Sequence, residues 1–156
     1  MSFQVKRLRG DDIAVAGLLN GLFAYAFEDP DSYLSAQPRD DYFRRLLERD
    51  HVIVLAAMDG QEVVGGLVAY VLEKMEQERS EIYIYDLAVA AQHRRRGVAT
   101  ALIAEVQELA AMLGAWVIYV QADRWDAPAI ALYDGLGARE DVLHFDIPPA
   151  RTRLRR

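Results

Sequence analysis

The chain has 156 residues, no cysteine, and 18 basic against 24 acidic side chains, a formal charge of −6. That length suits one domain able to bury roughly 70% of its unfolded surface, and the missing cysteine excludes disulfides, thiolate metal sites and a cysteine nucleophile. With no apolar run of roughly 18 residues and no apolar centre in MSFQVKRLRGDD, a soluble cytoplasmic protein is expected.

Four of the basic residues, Arg151, Arg153, Arg155 and Arg156, crowd the tail RTRLRR, leaving 14 basic against 24 acidic groups before it. The acidic body disfavours nucleic acid or an anionic membrane and favours a cationic partner. The tail, 151–156, is expected to be disordered, as short charged ends rarely pack.

In chain order, FQVKRL alternates as a strand, and GDDIAVAGLLNGLFAYAF follows with apolar residues at helical spacing behind Asp11 or Asp12 as cap. EDPDSYLSAQP, rich in acids and turn formers, predicts a loop over Glu28 to Pro38. RDDYFRRLLERD predicts a helix with Tyr42, Phe43, Leu46 and Leu47 on one face. Two apolar runs joined across Asp59-Gly60 predict a hairpin, and the pair Gly65-Gly66 in the second run suggests a bulge or a close backbone approach. SEIYIYDLAV predicts a further strand, Gly97 to Leu113 a helix, AWVIYVQ a buried strand, and Pro128 to Leu136 a short helix before a last strand near VLHFDI. No repeat or linker divides the chain.

The segment QHRRRGVAT, Gln92 to Thr100, joins a strand to the helix carrying Val98, Leu102, Ile103, Val106, Leu109 and Leu113. The first turn of a helix offers unpaired N–H groups and about half a positive charge, a ready anion site, and Gly97 with small Ala99 lets a phosphate approach. Three arginines before a glycine also describe an ordinary solvated helix start. The segment lacks the lysine of a P-loop and the three glycines of a dinucleotide fingerprint.

In its wider context the segment resembles a known motif. YDLAVAAQHRRRGVATALI resembles the acetyl-coenzyme A motif of the GNAT superfamily of N-acetyltransferases, a hydrophobic-x-L-x-V strand followed by R/Q-x-x-G-x-G/A opening a helix, with Arg94, Gly97 and Ala99 at the defining positions. DAPAIALYDGLG, Asp126 to Gly137, resembles the second signature, N-x-x-A-x-x-L-Y-x-x-x-G, with aspartate replacing asparagine. From about Arg7 to Asp146, stretches such as SEIYIYDLAV, VIYVQAD, ALYDGLG and HFDI are similar to the type I aminoglycoside 3-N-acetyltransferases.

The resemblance implies a single-domain α/β GNAT fold over residues 1–150, its mixed, mostly antiparallel sheet splayed after the fourth strand and flanked by helices. It implies acetyl-CoA as cosubstrate, with Leu87, Ala88 and Val89 pairing to the pantetheine arm. The diphosphate would rest on the N–H groups of Arg95, Arg96, Gly97, Val98, Ala99 and Thr100, with the side chains of Arg94, Arg95 and Arg96 at the rim. Asp86 is the implied general base, with Glu81, or a water it holds, as the alternative; an Asp that merely ends a strand is the plainer reading. Tyr133 is the implied hydroxyl at the coenzyme sulfur, against a plain core aromatic. Without cysteine, direct transfer in a ternary complex is expected.

A polycationic acceptor needs several carboxylates, and the candidates are Glu28, Asp29, Asp31, Asp123, Asp126, Glu140, Asp141 and Asp146, foremost Asp29, Asp126 and Asp146, with Tyr33 and Trp125 as ring faces. Singly, most such acids are solvated surface groups. The resulting expectation is acetylation of the 3-amino group of a deoxystreptamine aminoglycoside, an antibiotic-resistance activity. A GNAT enzyme for another polyamine or a protein amine, or a non-catalytic coenzyme A-binding module, are the alternatives. The resemblance also implies a homodimer, although no stretch identifies an interface. His51, His93 and His144 do not fall at metal-ligand spacing, and no metal is expected.

Overall fold

The computed structural model describes residues 2–151, and the tail beyond Arg151 lies outside the described residues. The chain divides into two compact units, Met1–Gln121 and Ala122–Arg156.

The first unit is built on a five-stranded sheet in the order β1-β2-β3-β4-β5. Its strands are β1 (Gln4–Arg7), β2 (Val52–Asp59), β3 (Glu62–Glu73), β4 (Ser80–Val89) and β5 (Ala115–Val120). All neighbours pair antiparallel except β4 and β5, which run parallel. The unit's helices are α1 (Ile13–Ala26), α2 (Pro30–Leu34), α3 (Asp40–Leu47) and α4 (Val98–Leu113). The parallel pair requires a crossover, and α4 supplies it. The β2–β3 hairpin closes with Asp59 opposite Glu62.

Helix α2 falls within the stretch expected to be a loop. Its cause is local: the Asp29 carboxylate accepts a hydrogen bond from the Ser32 amide at 3.1 Å, and Pro30 opens the first turn. An Asp cap followed by proline starts a helix even in a polar stretch.

Alternation assigns the sheet's two faces. Val52, Val54 and Ala56 pack with Leu19, Phe23, Phe43 and Leu47 of α1 and α3. Ile53, Leu55 and Ala57, also buried, point to the opposite face, where α4 brings Leu102 and Val106. The paired glycines of β3 let both layers close. A Cβ on Gly65 would lie 2.8 Å from the Val98 side chain, and one on Gly66 would collide with Leu19. A register shift between Ala57 and Met58 marks a bulge beside them, so bulge and close approach both occur.

The second unit contains α5 (Ala127–Asp134), capped by Asp126, whose carboxylate accepts from the Ala129 amide at 3.3 Å. The strand expected near VLHFDI does not form: residues 138–151 carry no regular element. Leu143, Phe145 and Ile147 alternate as a strand would, yet are 79%, 76% and 88% exposed. Alternation creates an apolar face but no ladder partner, and without one the backbone has no reason to be extended. Among the described residues no helix is long and apolar enough to cross a membrane.

Candidate active site

Two features of the first unit converge on β4. The first is the turn into α4. After a single 3-10 turn (Ala91–His93), Arg95 takes a left-handed conformation at φ 63°, and Gly97 follows at φ 77°. Left-handed backbone is natural for glycine and costs an arginine about 1 kcal/mol, so the turn carries some strain. Among the described residues, the amides of Arg95 through Thr100 donate to no protein acceptor; the ladder begins with Ala101 donating to the Gly97 carbonyl at 2.9 Å. Six consecutive donors without a protein acceptor at the positive end of a 16-residue helix are suited to receiving an anion on the backbone.

The arginines take separate places around it. The Arg94 guanidinium donates to the Val89 carbonyl at 3.4 Å, and Arg96 contacts the His93 ring, itself 3.4 Å from Glu62. Arg94 also borders two clefts, of about 760 and 390 Å³, the larger lined in part by Tyr25, Glu28, Pro30 and Leu34 and the smaller by Leu22, Glu62 and Val89.

The second feature is the change along β4. Its pairing with β5 ends at Ile84↔Val120, while its pairing with β3 continues to Gly65↔Val89. From Tyr85 onward β4 is therefore laddered on one side only, and Leu87, Ala88 and Val89 lie on this one-sided stretch. A bulge marks the transition: Val68 pairs with Asp86 and Ala69 with Ile84, leaving Tyr85 as the extra residue. The extra residue resets the alternation. Asp86 thereby leaves the face of Ile82 and Ile84 and joins the α1 face, opposite Val68 and next but one to Ala88.

On that face the Tyr33 hydroxyl donates to the Asp86 carboxylate at 2.6 Å. Tyr33 is held by the stacked rings of Phe23 and Phe27, whose centroids are 5.5 Å apart, and its own ring lies 5.8 and 5.7 Å from theirs. Burial raises the Asp86 pKa above the ordinary carboxylate value, and the bond from Tyr33 opposes that rise. Burial, then the bond to Asp86, raises the Tyr33 hydroxyl, which remains a donor at neutral pH. A partly desolvated carboxylate with one fixed donor is suited to accepting a proton.

The other acids are occupied in varied ways. Asp29 caps α2, and Glu28 bends the chain at φ 52°. Glu81, the alternative base, accepts from the Trp116 indole at 3.1 Å and pairs with Lys74 at 3.8 Å. In the second unit Asp126 caps α5, Asp141 pairs with Arg139 at 3.3 Å, and Asp146 with His144 at 2.7 Å. Asp123 accepts the Asp126 amide on its carbonyl, Glu140 is exposed, and Trp125 is 80% exposed. Burial and the Asp126 carboxylate raise the Tyr133 hydroxyl pKa. Among the described residues no group of three His, Asp or Glu is placed to hold a metal ion.

A backbone anion cradle following a strand with a one-sided ladder agrees with the family match. Residues 18–138 match the acetyltransferase (GNAT) family. The chain belongs to that family.

Members of the GNAT family use acetyl-CoA. Two solved structures are similar over nearly the whole chain. An aminoglycoside acetyltransferase, HMB0005, from an uncultured soil metagenomic sample is 56% identical with a TM-score of 0.93, covering 96% of this chain and 100% of that one. The aminoglycoside acetyltransferase meta-AAC0020, also from uncultured soil and solved in complex with sisomicin, is 30% identical with a TM-score of 0.87, covering 95% and 97%. Among curated proteins, N-acetyltransferase 8B of Rattus norvegicus is 26% identical over 125 residues, 72% of this chain and 56% of the relative. The chain thus spans about half the length of the curated relatives it matches.

Two features around Asp86 are not legible in the sequence. Tyr33 was expected as a ring face, whereas its hydroxyl is bonded to Asp86. Tyr70, Tyr83, Tyr85 and Tyr119 were not singled out, yet their rings contact one another in a row, two contacts edge-on and the third stacked, on the face that Asp86 joins. The signal for two of them was the Tyr-Ile-Tyr alternation before Asp86; nothing in the chain reveals the bulge that turns Asp86 to the same face.

Proposed function

We propose that this GNAT protein transfers the acetyl group of acetyl-CoA directly to the 3-amino group of a deoxystreptamine aminoglycoside. The observation that carries the reading is Asp86, turned by the bulge onto the α1 face where β4 loses its second ladder, and held there by Tyr33. The similarity to aminoglycoside acetyltransferases at 56% and 30% identity supports the acceptor class.

In this reading the coenzyme's diphosphate rests on the amides of Arg95 through Thr100, with the three arginine side chains around it. Each N–H bond to a charged oxygen contributes about 1.5–3 kcal/mol when shielded from water. The pantetheine amides add to the one-sided stretch Leu87–Val89 as an extra strand would. Asp86 takes the proton of the attacking amine as its nitrogen bonds to the thioester carbon. The carbon–sulfur bond then breaks, and the Tyr133 hydroxyl protonates or hydrogen-bonds the leaving thiolate. Asp29, Asp126 and Asp146 are the foremost acceptor-binding acids, with Glu28, Asp31, Asp123, Glu140 and Asp141 in lesser roles. A homodimer belongs to the same reading, and light scattering on the eluting protein tests it.

The test is an initial-rate comparison of gentamicin-type aminoglycosides, spermidine and lysine peptides, each with acetyl-CoA. The proposal expects the highest kcat/KM with the aminoglycosides. Preference for spermidine or a peptide would overturn the acceptor, and coenzyme binding without turnover of any amine would overturn catalysis.

A further inference from the structure

On the α1 face of the sheet, four tyrosines form a continuous row next to Asp86. Tyr70 of β3 meets the Tyr85 ring edge-on at 6.0 Å, Tyr85 meets Tyr83 at 5.7 Å, and Tyr83 stacks on Tyr119 of β5 at 4.7 Å with 9° between planes. Tyr83 and Tyr85 share this face by alternation, and the bulge is what brings Asp86 to it, so that Tyr83, Tyr85 and Asp86 lie on one face within four residues.

The row is both rigid and open. The Tyr83 hydroxyl is fixed to Gln121 Oε1 at 2.8 Å, and Tyr70 is packed into the core cluster of that face. Tyr85, by contrast, is 63% exposed and Tyr119 37% exposed. An aromatic face presented to solvent beside a carboxylate is complementary to a molecule with carbon-hydrogen faces and ammonium groups, because the negative ring faces attract cations and the ring carbons shed water. Burial first, then neighbouring groups that include Asp86, raises the hydroxyl pKa values of Tyr70 and Tyr83, so these two remain neutral donors at physiological pH.

We propose that Tyr85 and Tyr119, backed by Tyr70 and Tyr83, form a stacking platform for the amino-sugar rings of the acceptor that do not react, and that this platform determines preference for multi-ring acceptors. The inference rests on the aminoglycoside reading above and adds the surface that selects among such acceptors. Tyr85 and Tyr119 act in binding; neither is assigned a proton.

The test measures kcat and KM of wild type, Tyr85→Ala, Tyr85→Phe and Tyr119→Ala with a three-ring aminoglycoside and with 2-deoxystreptamine, the single ring. Both positions are partly exposed, and circular dichroism confirms folding of each variant. The expected result is a fall of roughly 3- to 30-fold in the ratio of kcat/KM, three-ring over single-ring, for the alanine variants, carried mainly by KM. Tyr85→Phe keeps the ring and restores the wild-type ratio. Wild-type turnover of aminoglycosides with an unchanged ratio in both alanine variants overturns the platform alone. A wild-type enzyme that acetylates no aminoglycoside overturns the acceptor reading and the platform together.

Discussion

The hydroxyl of Tyr33 donates to the carboxylate of Asp86 at 2.6 Å, linking α2 to the bulge in β4. The two residues are 53 apart in sequence. Burial favours the protonated form of Asp86, while the tyrosine favours the ionised form.

Removing that hydroxyl leaves burial unopposed. In Tyr33→Phe the acid limb of kcat/KM against pH is expected to move to higher pH, with the ring still held by Phe23 and Phe27. A pH profile of both proteins checks this; coincident limbs would remove Asp86 as the titrating base.

Asp86→Asn is expected to lower kcat by about 10²–10⁴, the usual contribution of a positioned base. Stability should respond in the opposite direction. A carboxyl whose pKa is raised on folding binds its proton more tightly in the native chain, so it favours folding below its ordinary pKa and loses that contribution as pH rises through the raised value. Above that raised value the wild type has lost it, and there the variant should melt no lower than wild type, measured by thermal unfolding across pH, despite its lost activity.

Tyr133→Phe is expected to lower kcat with the coenzyme Kd held within about twofold, because the hydroxyl acts on the leaving thiolate rather than on ground-state binding. Calorimetry with coenzyme A beside steady-state rates separates the two. Equal losses in both would mark the residue as structural.

At the α4 start, Gly97→Val forces a β-branched residue into φ 77°, costing about 1–2 kcal/mol or displacing the turn. Coenzyme affinity should fall much more than in Arg94→Ala, whose side chain sits at the rim. If the arginine mattered more, side chains rather than amides would hold the diphosphate.

Gly66→Ala is expected to destabilise the fold by about 1–3 kcal/mol, because the new methyl meets Leu19 and lies 3.0 Å from the Leu55 carbonyl oxygen. Gly17→Ala, in α1 with nothing within 4 Å of its Cβ, should instead stabilise by about 0.5–1 kcal/mol. Chemical denaturation of the two variants measures both.

Much of the fold was legible because its signals are local. Period-two and helical patterns located β1 to β5, α1, α3, α4 and α5, and the Arg-Gly turn announced α4 with its glycine at positive φ. Three expectations failed where structure depends on something alternation does not encode. Helix α2 arose from an Asp-Pro cap inside a polar stretch, VLHFDI had a strand's pattern without a ladder partner, and AWVIYVQ, expected to be buried, forms β5 at the end of the sheet order with Trp116 and Tyr119 exposed. Strict alternation would also have put Asp86 with Ile82 and Ile84, away from Tyr83 and Tyr85. One extra residue in β4 reverses that, and its position is set by pairing with β3, which the sequence does not display.

The most direct measurement is NMR of the product formed from acetyl-CoA and gentamicin by the purified protein. The expected spectrum shows one new acetyl group, on the 3-amino nitrogen of the deoxystreptamine ring. Acetylation at a different amine, or unmodified antibiotic after prolonged incubation, would contradict the account.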